Sequence, residues 1–198
     1  YTIIAAIART ILFVNGAKAN VYGKENVPTE GGFIVACTHN GYVDIFNLAA
    51  SIYPREIHFM AKKELFEIKG LGWLINRLNA FPVDRANPGP SVIKIPRKLL
   101  KEGKIVGIFP SGTRTTESTS LKAGAVTIAQ LSKSQILPAA YIGPKNMKGV
   151  FKREKAYLIY GKPFTVDASK EAREEASQFL EAELVRLTAE LEAEINKK

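Results

Sequence analysis

The sequence predicts an α/β domain built on a mixed, largely parallel sheet flanked by helices. Two observations carry that reading. Short apolar runs typical of buried strands alternate with segments of helical spacing. The runs also tend to stop at polar clusters that precede a helix, as in strand–loop–helix units. The 198-residue chain is long enough for one such domain with its own core, and with 46% hydrophobic residues it is no disordered polymer.

Taken in order, Ile3 to Val14 is apolar apart from Arg9 and Thr10 and reads as a helix, too short to span a bilayer, that either joins the core or lies against a membrane. The numbering starts at Tyr1 without an initiator methionine, which leaves upstream residues open. "VYGKENVPTEGG" is turn-rich and leads into a strand at Phe33–Cys37. A helix from Val43 to Ile52 follows, then a strand from Glu56 to Met60, a short helix in "GLGWLINRL", and a short strand in "NAFPVDR" ending on Arg85. "NPGPSVIKIPRKLLKEG" has helix start signals and a Gly103 stop, with Pro96 predicting a late start or a kink. "KIVGIFP" is a strand ended by Pro110, "SGTRTTESTS" a polar loop, and "KAGAVTIAQLSK" a helix. Strands follow in "QILPAAYIG" and "KAYLIYGKPF". From Ala168 onward one long helix is marked by Leu180, Leu184, Leu187, Leu191 and Ile195 on one face, and docks on the body. The whole is expected to be a single domain, with an apolar helix over 1–20, a core over 21–166 and a C-terminal helix over 167–198.

Composition narrows the function classes. A single cysteine, Cys37, excludes an internal disulfide and a cysteine-based zinc cluster. Two histidines, His39 and His58, leave little for a metal site. The net charge is +9 and unevenly placed: nine acids and five bases from Asp167 to Lys198 leave +13 on the rest. A basic body suits an anionic partner, whether nucleic acid, lipid headgroups, a phosphorylated small molecule or an acidic carrier protein; a merely solvated surface has the same signature. Nucleic acid fits poorly, because the tyrosines and phenylalanines fall mostly in apolar runs and not on a basic face.

Three polar knots stand at strand ends: His39–Asp44, Asp84–Arg85 and Ser111–Arg114. In a sheet of this kind ligands gather where strands end and helices begin, so knots on one edge form one site. A histidine beside a carboxylate can act as a general base, and the five-residue step suits a loop running into a helix. The same Asp44 could simply cap that helix. His58 lies inside a strand with no suitably spaced acid and reads as structural. In "IFPSGTRT", Gly112 lets backbone N–H groups approach an oxyanion or phosphate, and Arg114 offers a planar fork to phosphate oxygens.

Together these segments resemble the glycerolipid acyltransferase family, and within it the members that acylate a 1-acylglycerol 3-phosphate. "HNGYVD" matches the family's histidine–four residues–aspartate motif. "AFPVDR" is similar to the second motif, "FPSGTR" to the third and "ILPAAYIG" to the fourth, in the family's order over roughly 21–164. The resemblance implies transfer of a fatty acyl group from a thioester, on acyl carrier protein or coenzyme A, to the sn-2 hydroxyl of the acceptor, giving phosphatidic acid. It implies His39 as base, Asp44 as its orienting partner, and Arg85, Ser111, Gly112, Thr113 and Arg114 at the acceptor phosphate. Pro138 would shape the site wall. Backbone amides at Asn40 and Gly41, or at Gly112, are candidates for the oxyanion. No metal or bound cofactor is implied. Ser111 stands where the family usually has glutamate, and without that charge it cannot pair with an arginine. Partners on this reading are an anionic membrane surface, the acyl thioester and lysophosphatidic acid, at the cytoplasmic face of the cell membrane. Acylation of glycerol 3-phosphate or another lipid, or membrane binding without catalysis, are the alternatives.

Overall fold

The computed structural model describes residues 10, 14–84, 89–111 and 115–197, at 111 and 115–122 by the backbone alone. Seven strands form one sheet: β1 (Asn20–Tyr22), β2 (Phe33–Thr38), β3 (Ile57–Lys62), β4 (Phe81–Val83), β5 (Ile105–Ser111), β6 (Gln135–Ile142) and β7 (Tyr157–Tyr160). Their spatial order is β1-β7-β6-β2-β5-β3-β4. Every neighbouring pair is parallel except β6 with β7. Mixed and largely parallel is therefore what the alternation of apolar runs and helices produces. Strand β5 lies between β2 and β3, so the carboxyl ends of β6, β2, β5, β3 and β4 share one edge.

The sheet is covered on both faces, which explains why its central strands are apolar at successive positions. In β2, Phe33, Val35 and Cys37 point to one side, where they pack with Leu48 and Ile52 of helix α1 (Val43–Ile52). Ile34 and Ala36 point to the other, against Ala125, Val126 and Ala129 of a long helix, α5 (Thr115–Ser132), and Leu180 of the C-terminal helix, α7 (Lys170–Asn196). Between these come the short helices α2 (Glu64–Glu67) and α3 (Leu71–Arg77), the helix α4 (Ser91–Lys101), and α6 (Met147–Phe151). The heptad-like leucines of α7 land where their spacing places them: Leu180, Leu184, Leu187 and Leu191 are buried against the sheet face. Ser169 caps this helix by accepting the N–H of Ala172.

Several boundaries differ from expectation for physical reasons. Helix α4 starts late, at Ser91, and runs on through a buried Pro96. Strand β5 does not stop at Pro110 but reaches Ser111. Ala36 pairs with Ile108 and Thr38 with Ser111, so β5 carries one extra residue there, and the irregularity accommodates a proline that has no N–H to give the ladder. The polar stretch expected as a loop is helical from Thr115 onward; serine, threonine and glutamate suit a helix's first turn as well as a loop. The short elements β1, α2 and α6 carry too few residues to show a period. The apolar segment at the N-terminus falls almost wholly outside the described residues, and among those described no helix is long and apolar enough to cross a membrane.

His58 sits in β3 beside Val106 of β5. Burial, and secondarily the charge of Lys104, push its pKa below the usual 6.5. The unfolded chain then binds this proton more readily than the folded one, so the stability tied to His58 is complete above pH 6.5 and is lost as pH falls through the lower folded value. Urea unfolding across that range should show stability falling with pH, and His58→Gln should flatten the fall. On α7, Leu180→Ala should cost about 2–5 kcal/mol, while Val185→Ala on the exposed face, 66% accessible, should stay within about 0.5 kcal/mol, read by the same titration.

Candidate active site

Strand β2 delivers Thr38 to the carboxyl edge, and after four intervening residues helix α1 begins at Val43. Asp44 is the second residue of that helix and is 0% exposed. A buried carboxylate must have its lone pairs met, and here they are. Oδ2 accepts His39 Nδ1–H at 3.1 Å, the Asn40 N–H at 2.9 Å and the Gly41 N–H at 3.2 Å. Oδ1 accepts the N–H of Ile45 at 2.7 Å. The negative group lies in the first turn, where the helix dipole also favours it. Asp44 is thus a helix-start anchor and a histidine partner at once, the two readings its position in the sequence left open.

This arrangement fixes the tautomer. With Nδ1–H donating to Asp44, the neutral imidazole of His39 carries its lone pair at Nε2. The side chain of His39 is 36% exposed, against none for its partner. Its ring rests on Phe109 of β5, centroids 4.6 Å apart, and Phe109 in turn stacks on Phe59 of β3 at 5.7 Å. Gly107 makes room for that stack, since a Cβ there would lie 2.4 Å from the Phe59 ring.

Strand β6 braces the loop from the other side. The Thr38 hydroxyl accepts the Tyr141 N–H at 2.9 Å, and the Asn40 side-chain amide donates to the Tyr141 carbonyl at 3.1 Å. Behind them Asn47, 1% exposed, accepts the Ala19 N–H at 2.9 Å and reaches the Tyr141 hydroxyl at 3.4 Å. Burial first, and then the Asp44 charge, push the Tyr141 hydroxyl up, so it stays protonated. Farther along, the Tyr42 N–H donates to Lys145 O at 3.1 Å and the Met147 N–H donates to the Tyr42 hydroxyl at 3.1 Å. Gly41 passes so close to Lys145 that a Cβ would sit 2.0 Å from the carbonyl oxygen. Cys37 lies just before the loop, but burial, and then the Asp44 charge, raise its pKa well above the ordinary thiol value. It stays a thiol and is no nucleophile.

Of the residues singled out in the sequence, His39 and Asp44 meet directly. The amides of Asn40 and Gly41, expected as oxyanion donors, are here committed to Asp44 Oδ2. Ser111 ends β5 in register with Thr38, one residue from His39. Asp84 follows β4 on the same edge and pairs with Lys63. Arg85, Gly112, Thr113 and Arg114 lie outside the described residues. Pro138 lies in β6 opposite Ala36 of β2, inside the sheet. Phe109, Tyr141 and Asn47 are the supports that sequence reasoning missed. Phe109 and Tyr141 sit in apolar runs that mark them only as core, and Asn47 has the look of an ordinary helix residue.

A carboxylate-oriented imidazole, partly exposed at the carboxyl edge of an α/β sheet, can take up or give back a proton at Nε2. The acyltransferase family model matches residues 18–142, a span that includes the His39–Asp44 loop, β5 and all of β6. The 1-acyl-sn-glycerol-3-phosphate acyltransferase of Bacillus subtilis (strain 168) is 55% identical over 163 residues, which cover 82% of this chain and 81% of that protein. The protein of the same name from Streptococcus pneumoniae is 33% identical over 88% of this chain, which spans 66% of that relative's length. The crystal structure of the 1-acyl-sn-glycerophosphate (LPA) acyltransferase PlsC from Thermotoga maritima shares the fold, with a TM-score of 0.68 over 95% of this chain and 79% of that one, at 24% identity. The chain belongs to the acyltransferase family.

The close approach at Gly41 makes a direct check of the loop. Gly41→Ala should destabilise the fold by about 1–3 kcal/mol, the usual cost of forcing an extra methyl into a packed site, and Gly124→Ala in α5, whose Cβ meets nothing within 4 Å, should cost less; urea titration of both variants decides.

Proposed function

We propose that the protein is an O-acyltransferase that moves a fatty acyl group from an acyl thioester to the sn-2 hydroxyl of 1-acylglycerol 3-phosphate, giving phosphatidic acid for phospholipid synthesis. The observation that carries the chemistry is the 3.1 Å contact between His39 Nδ1 and the buried Asp44 carboxylate; the acceptor is supported by the names of the Bacillus subtilis and Streptococcus pneumoniae relatives. Nε2 of His39 removes the proton from the sn-2 hydroxyl as its oxygen attacks the thioester carbonyl. Asp44 holds the imidazole in register and stabilises the cation formed. Collapse of the tetrahedral intermediate breaks the C–S bond, and the departing thiolate takes the proton back from His39. The buried Cys37 thiol takes no part, so no acyl-enzyme forms on it. The developing oxyanion needs donors other than the Asn40 and Gly41 amides while these bind Asp44; the amide of Gly112 is the remaining candidate.

Arg85, Gly112, Thr113 and Arg114, with Ser111 at the end of β5, are assigned to the acceptor phosphate. Serine at 111 offers one hydrogen bond and no charge, so the phosphate rests on the arginines and backbone N–H groups. The chemistry runs without a metal or bound cofactor, since the thioester is the activated reactant. The acyl donor is an acyl carrier protein or coenzyme A thioester. Lysophosphatidic acid is an amphipathic lipid, which supports a membrane surface as the place of reaction; the cytoplasmic face, with peripheral or monotopic attachment, is part of the proposal.

The test is turnover of lysophosphatidic acid with each thioester in detergent micelles. His39→Ala should lower kcat by about 10²–10⁴ and Asp44→Asn should lower it by orders of magnitude too, while Arg114→Ala should mainly raise KM for the acceptor. Full activity in His39→Ala would sink the mechanism; an unchanged acceptor KM in Arg114→Ala would remove the phosphate assignment.

A further inference from the structure

Between β3 and β4 the chain leaves the sheet's carboxyl edge as a hairpin of α2 and α3. It is pinned at its base, where the Lys63 N–H donates to Val83 O at 3.1 Å. It then closes on itself: Gly72 donates to Ile68 O at 2.8 Å and lies so near Phe66 O that a Cβ would sit 2.2 Å from it. Gly72 is the hairpin's one buried residue among the two helices. Among the described residues, no side chain from 64 to 77 joins a hydrophobic cluster of the core. Yet Leu65, Ile68 and Trp73 are large, apolar and 37%, 52% and 58% exposed. Three such side chains on one small excursion are more than scattered surface hydrophobics.

On the far side of the His39 loop the same edge carries a second apolar pair. Tyr42 is 48% exposed and Phe151, at the end of α6, is 67% exposed. Strand order sets the spacing: β6, which leads to α6, neighbours β2, and β3, which leads to the hairpin, is two strands beyond β2. At about 5 Å per strand, the strands that lead to the two apolar groups stand roughly 15 Å apart, with β2 and its His39 loop between them.

The charges around both groups have one sign in excess. Residues 62–77 contain four Lys or Arg against two Glu, and residues 145–155 contain five against one. Arg77 holds its guanidinium 5.1 Å from the centre of the Trp73 ring. Tryptophan and tyrosine set among lysines and arginines is the composition of a surface that sits at the headgroup level of a bilayer, rings in the acyl boundary and cations at the phosphates.

We infer that the carboxyl edge of the sheet, through the α2–α3 hairpin on one flank of His39 and Tyr42 with α6 on the other, is the face that docks on an anionic lipid bilayer. The choice of a bilayer as partner rests on the reading of the protein as an enzyme of a membrane lipid. Docked this way, the imidazole faces the leaflet, and an acceptor need rise only partly from it to reach Nε2.

The test does not involve the reaction. Trp73 is the chain's single tryptophan, so intrinsic emission reports on this hairpin alone. Vesicles of phosphatidylcholine mixed with the anionic phosphatidylglycerol should shift the emission to the blue, and brominated acyl chains should quench it. Leu65→Ser with Ile68→Ser should weaken vesicle binding about tenfold or more in sedimentation while the far-ultraviolet spectrum and the urea midpoint stay unchanged. Binding with unaltered Trp73 emission would overturn the assignment, as would no binding at all. Emission already blue without vesicles and insensitive to them would overturn it too, showing the hairpin covered by another part of the chain or a second copy. Micellar turnover lost in the wild type with lipid docking intact would instead strike the proposed reaction and leave the surface standing.

Discussion

The carboxylate of Asp44 is the constraint on which the site is built. It is wholly buried and receives four N–H groups, three of them from the backbone at the start of α1 and the fourth from His39. A buried anion left short of donors would be costly, so the loop from His39 to Tyr42 has little choice of path: it must turn its amides inward. The same turn presses Gly41 against Lys145 and sets the imidazole against Phe109. One ionised group therefore folds the loop and aims the histidine, and removing it would leave neither the turn nor the tautomer specified.

What surrounds this loop follows from the sheet. Parallel strands with helices on both faces bring several carboxyl ends to a single edge, where helix starts and loop amides collect. Strand β2 reaches that edge between β6, whose Tyr141 backbone clamps Thr38 and Asn40, and β5, whose Phe109 floors the imidazole. The extra residue that lets Pro110 pass in β5 lies beside this point, so the ladder's irregularity and the site coincide. The edge also gathers the exposed Trp73, Ile68 and Phe151 with a surplus of cations, so the same topology assembles both the proposed base and the proposed lipid-docking surface.

Much of this could be read from residues because it rests on local signals. Phe33–Cys37 reads as an interior strand, and His39 and Asp44 sit where that strand gives way to a helix. The leucine spacing of α7 marks its buried face directly. Other features depend on contacts distant in sequence. Nothing near Asn47 says that it will face Ala19 and the Tyr141 hydroxyl, and nothing in "KIVGIFP" says that its phenylalanine will carry a histidine ring. The Ser- and Thr-rich run after Ser111 was ambiguous in kind, since the residues that fill loops also begin helices, and it became helix from Thr115. The hairpin at 64–77 is apolar without a core to join, which a pattern read in one dimension records only as a short helix.

The central claim is that Asp44 holds His39 as the Nδ1–H tautomer with its lone pair at Nε2. With only two histidines in the chain, ¹⁵N-histidine labelling with a His58→Gln variant isolates the His39 signal. In the neutral form its Nδ1 should resonate as a protonated, hydrogen-bonded nitrogen and its Nε2 as an unprotonated one, with the order relaxing toward a mixture in Asp44→Asn. A protonated Nε2 in the protein with Asp44 intact would contradict the account.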